Sequence, residues 1–98
     1  MTTPGQALAL LEDQWRSVFL QLRDGLDVPP GQRLRAEGAM AALADLGLVS
    51  AEEQVRRLAD CYQAVLGESL PEDWLEMFPF PQLPGFMARA PVYPSTRD

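Results

Sequence analysis

Apolar residues recur along this chain with the period of helices, and no run of strict alternation suggests strands. Between about residues 4 and 26, Ala7, Leu8, Leu11, Trp15, Val18, Phe19, Leu22 and Leu26 fall on one face at 100° per residue, with Glu12, Asp13, Arg16, Arg23 and Asp24 outside it. Thr3 as N-cap, Pro4 at the first helical position and Gln6 closing a capping box predict where this helix starts. Leu10 and Leu20 project from its polar side, more apolar surface than one core face requires. Asp27, Val28, Pro29 and Pro30 end it, because a residue before proline is driven out of the α region.

A second helix is predicted over about residues 31–46, stopped by Gly47 in the left-handed conformation. Ala36, Ala39, Met40, Leu43 and Leu46 share one face, while Leu34, Gly38 and Ala41 form a second, small and nearly apolar one. A helix apolar on two sides is packed on two sides. Gly38 costs about 1 kcal/mol in a helix interior, so a close backbone neighbour is expected there.

Ser50 and Glu53 read as a second capping box opening a third helix over about residues 51–66, with Glu52–Arg56 and Glu53–Arg57 as i,i+4 pairs. Its expected buried stripe is Val55, Leu58, Ala59, Tyr62, Val65 and Leu66, and Gly67 supplies the stop. Ser69 and Glu72 suggest a third box and a short fourth helix near residues 70–78, which carries Trp74 and Phe78. Periodicity ends at Pro79. The expected fold is all-α: a small three-helix bundle with a short fourth helix over residues 1–78, and an extended, proline-rich C-terminal arm over residues 79–98 docked on the helices or on a partner.

Composition narrows the function. Ninety-eight residues suffice for one small domain, and 47% apolar with 22% charged residues is globular rather than disordered. No apolar run is long enough to span a bilayer, and the first residues have neither a basic region nor an apolar stretch of the secretory kind, so a cytoplasmic protein with no membrane association is expected. The net charge of −6 would repel phosphate backbones, which argues against nucleic acid. Every basic residue is arginine, and Lys, Asn and Ile are absent, the bias of a GC-rich genome, and a bacterial source is expected.

Chemistry is sparse. With no histidine, the commonest general base and metal ligand is missing. Cys61 is the single cysteine, placed mid-helix beside Asp60, where nothing lowers a thiol pKa. Glu68, Glu72, Asp73 and Glu76 cluster around the fourth helix without EF-hand spacing, and read as a solvated face. The segment from Ala41 to Tyr62 has the outline of a helix-turn-helix, but Glu52 and Glu53 open the helix that would meet DNA. No catalytic, cofactor-binding or metal-ligating residue is therefore expected, and the chain is read as no enzyme.

What remains is apolar surface. From Phe78 to Pro94 the arm carries Phe78, Phe80, Leu83, Phe86, Met87, Val92 and Tyr93 against the one charge of Arg89, too apolar to stay in water. Pro81–Pro84 and Pro91–Pro94 also match the PxxP pattern, a weak signal. The expected function is a non-catalytic protein–protein interaction module, a small regulatory adaptor or inhibitor. A structural or accessory subunit of a larger complex is the alternative. A binder of a small molecule or acyl chain through the Trp15 and Phe19 face is a third reading. A homodimer is expected, through Leu10, Trp15 and Leu20 or through Leu34, Gly38 and Ala41. Trp74, Phe78, Phe80 and Phe86 are the expected anchors of the fourth helix and the arm.

Overall fold

A computed structural model describes residues 3–85. Four helices follow in chain order: α1 (Pro4–Arg23), α2 (Pro30–Asp45), α3 (Ala51–Leu66) and the single-turn α4 (Trp74–Met77). The all-α bundle expected from the periodicity is the observed architecture: α1 packs on both α2 and α3, and the described residues contain no strand.

The helix ends show how local chemistry sets the boundaries. At α1 the Thr3 hydroxyl accepts the Gln6 backbone N–H at 3.1 Å, and the Gln6 side chain accepts the Thr3 N–H at 2.9 Å, the reciprocal box that the sequence predicts. The other end comes earlier than the proline signal implies. Gly25 takes φ 78°, its N–H donates to the Leu22 carbonyl, and the Leu26 N–H reaches back to the Gln21 carbonyl at 2.8 Å. This Schellman pair closes α1 at Arg23, so Leu26 leaves the apolar stripe and stands exposed. Gly47 ends α2 by the same pair of bonds, to Ala44 and from Leu48 to Leu43, which puts Leu46 outside the buried face as well.

Two of the expected capping boxes form only in part or not at all. The Ser50 hydroxyl accepts the Glu53 N–H at 3.1 Å, but the Glu53 carboxylate turns to Arg56 and Arg57 instead of the cap. Arg56 thus pairs with Glu53 rather than with Glu52. The fourth helix starts at Trp74, with Asp73 as its cap and no side-chain bond, and not at Ser69.

The core is a seam of α1 residues, Leu8, Leu11, Trp15, Val18, Phe19 and Leu22, met by Ala36, Met40 and Leu43 from α2 and Leu58 and Tyr62 from α3. The Trp15 indole N–H donates to the Met40 sulfur at 3.3 Å. Phe19, Tyr62 and Trp74 meet edge to face, with centroids 5.3 to 6.4 Å apart, and Phe78 adds a fourth ring 5.2 Å from Trp74. Gln54, which the stripe of α3 did not include, is fully buried. Its amide donates to the carbonyls of Met40 and Val49 at 3.0 and 3.1 Å, tying α3 to the end of α2. Val55 and Val65 are half-buried.

Residues 79–85 run along the helices. Leu83 and Pro84 are buried, the Leu83 N–H donates to the Glu37 carboxylate at 2.6 Å, and the Gly85 carbonyl accepts the Val28 N–H at 3.3 Å. The Phe80–Pro81 peptide is cis. With Leu83 and Pro84 buried and the Leu83 N–H bonded to Glu37, the Pro81–Pro84 stretch packs on its own chain, whereas Pro91–Pro94 lies outside the described residues.

Candidate functional site

The third helix carries a buried stripe whose margin opens to the surface near its N-terminal end. Gln54, Leu58 and Tyr62 are buried in the bundle, while Ala51, Glu52, Val55 and Arg56 of the first two turns form one wall of a groove. The opposite wall comes from α4 and the start of the arm. Trp74 anchors α4 inward, so Leu75, one residue and about 100° on, must face out, and it is 49% exposed. Pro79 and the half-buried Phe80 complete this wall. The groove between them has a volume of about 500 Å³ and is lined mainly by apolar atoms.

Charge is unevenly spread around it. Arg57 bonds Glu53 at 2.8 Å and reaches Glu12 of α1 at 3.5 Å, while Arg56 holds the same Glu53 at 2.6 Å. The hydrogen bonds from Arg56 and then Arg57 hold the Glu53 carboxyl below the usual carboxylate range. Glu52, Glu72, Asp73 and Glu76 are exposed and make no ion pair among the described residues.

A second cavity of about 320 Å³ lies between the α1–α2 turn and the arm, where Asp27, Val28 and Arg33 face Met77, Gln82 and Gly85. It borders the last described residue.

The structure separates the expected contact residues into three groups. Trp15, Trp74 and Phe78 are sealed in the core, with 0%, 2% and 8% of their surface exposed, so none of them is available as an interface anchor. Phe19 is equally closed, and the face proposed for a small molecule or acyl chain is filled by protein. Leu10 and Leu34 stand exposed at 60% and 58%, and Leu20 and Ala41 are partly buried. Gly38 is exposed, and no atom lies within 4 Å of where a Cβ would stand, so the expected backbone neighbour is missing among the described residues. Phe80 alone of these residues lines the groove, and Phe86 lies outside the described residues.

Sequence reasoning assigned Val55 to the core and passed over Leu75. The signal for Leu75 was available: a leucine next to a tryptophan on a one-turn helix cannot share its face.

Cys61 is half-buried, with its sulfur 4.0 Å from the Glu12 carbonyl. Burial pushes its thiol pKa up; Arg16 opposes this, and Glu12 and Asp13 add to it. A nucleophilic thiolate is therefore disfavoured. Among the described residues, no three His, Cys, Asp or Glu side chains group as metal ligands, and no helix is long and apolar enough to cross a membrane.

No family model, curated protein or solved structure matches this chain.

Proposed function

We propose that this protein is a non-catalytic interaction module that binds another protein through the groove between α3 and the α4–arm wall. The observation that carries the reading is the groove itself: about 500 Å³, mainly apolar, with Leu75 half exposed on its wall. Apolar side chains held at a surface by buried neighbours are the usual anchor points of protein recognition. Here Trp74 in the core fixes Leu75, and Ser50 fixes the first turn of α3, so a partner would meet a preformed surface.

A second reading, an accessory subunit buried on several sides, draws on the exposed leucines away from the groove, Leu10 on α1 and Leu34 on α2. Association of two copies through either helix belongs to the same reading.

A photo-crosslinking residue at position 75, with one at the exposed Arg35 as control, distinguishes these possibilities in cells of the source organism. The groove reading expects a heteroprotein adduct at position 75 and none at 35. Adducts of twice the chain mass would indicate a homodimer. Equal adducts at both positions would favour the buried subunit, and none at position 75 would remove the groove as the contact.

A further inference from the structure

Resting on the groove reading above, the charge around the groove specifies the chemistry of its occupant. We infer that the groove takes a short segment of a partner protein in which apolar anchors are flanked by arginine or lysine.

Three observations support this. First, the cations beside the groove are already committed. Arg56 and Arg57 both bond Glu53, and Arg57 also faces Glu12, so these two acids and two arginines are neutral as a group. Second, the acids on and beside the walls are unneutralised: Glu52 lines the α3 wall, Glu76 adjoins Leu75, and Glu72 and Asp73 lead into α4. None of the four has an ion-pair partner among the described residues. Third, the chain has no basic residue between Arg57 and Arg89, so no described cation on the α4 side can answer them. Elsewhere Asp13 pairs with Arg16 and Asp24 with Arg23, and the exposed acids without an ion pair among the described residues, Asp27, Asp45 and Asp60, are scattered over three segments of the chain, whereas the four here fall on or next to the walls of one apolar groove.

An apolar floor with one sign of charge at its edge selects in two ways. Apolar anchors supply affinity, and the unneutralised carboxylates speed encounter with basic flanks and reject acidic ones. The half-exposed Leu75 and Phe80 suit leucine, methionine or aromatic anchors.

The test uses the full chain as bait for a random twelve-residue peptide library, followed by fluorescence polarisation of the enriched peptides. The expected result is enrichment of apolar anchors with net positive flanks. Leu75→Gln, at a site exposed enough to keep the fold, should weaken binding about tenfold. Replacing Glu52, Glu72 and Glu76 by Gln and Asp73 by Asn should weaken it about fivefold at low salt, a difference that disappears near about 0.5 M salt. Circular dichroism of both variants separates lost binding from lost fold.

Enrichment of neutral or acidic peptides that still require Leu75 would overturn the charge inference and leave the interaction module standing. Peptides indifferent to Leu75, or no enrichment at all, would overturn both. Binding that emerges only in a chain ended after Gly85 would assign the groove to the protein's own C-terminal residues and overturn the inference.

Discussion

Similar side chains along one stripe of α3 meet different fates. Leu58 and Tyr62 are closely covered, Tyr62 by Phe19 of α1 and by Trp74. Val55, one turn from Leu58 and two from Tyr62, is half-buried and lines an open groove with Leu75 and Phe80. The difference does not arise from hydrophobicity. It arises from what lies opposite: α1, 20 residues and about 30 Å long, packs along α3, whereas beside Val55 stand only the single turn of α4 and the start of the arm. A long partner closes a seam, and a short one leaves a groove with fixed walls.

The sharpest test pairs one residue of the closed core with one on the wall of the open groove. Trp15→Ala should lower stability by about 3–5 kcal/mol, because the indole fills a closed core and bonds Met40. Leu75→Ala, half exposed beside the open groove, should cost less than about 0.5 kcal/mol in the same urea titration while reducing partner binding. Equal losses of stability would erase the distinction between the closed core and the open groove.

The arm provides the next test. Leu83 is as buried as the helix cores, and its N–H is held by Glu37, whose side chain is 12% exposed. Leu83→Ala should cost about 2–4 kcal/mol, and a chain ended after Phe78 should unfold at lower urea than one ended after Gly85. If both truncated chains unfold at the same midpoint, residues 79–85 decorate the bundle instead of completing it.

The smallest effect is at Cys61, on the α1–α3 seam. Its thiol ionises at higher pH in the folded chain than in the unfolded one, so alkylation by iodoacetamide near pH 7.5 should be slow and should accelerate in urea. Because folding raises this pKa, the associated stability is present below the ordinary thiol pKa near 9.0 and is lost as pH rises through the folded value. A folded-state labelling rate equal to that in urea would place the seam open at Cys61.

Much of this was legible in the sequence. Thr3 with Gln6, Gly47 and Gly67 marked helix ends where they occur, because capping depends on a few neighbouring backbone groups. The six buried residues of α1 were all on the predicted face. The errors have local or tertiary causes. Leu26 was lost from the stripe because Gly25 closes the helix before the prolines act. Gln54 looked like surface and is buried because two backbone carbonyls, one from α2 and one from the loop, point at its amide. Phe78 was expected at a contact because it opens an arm too apolar to stay in water, and Trp74 as an aromatic anchor of the fourth helix beside it. They are core because the chain returns them to Phe19 and Tyr62.

By itself, the sequence determined that this chain is helical, where its main helices begin and which face of α1 is buried, since those properties rest on period and capping within a few residues. Only the tertiary structure decided which apolar residues are spent in the core and which stay at the surface. Burial depends on what stands opposite. Trp15 is enclosed by Met40 of α2 and the rest of the core, whereas Leu75 stands on the outward side of a one-turn helix whose inward side Trp74 occupies.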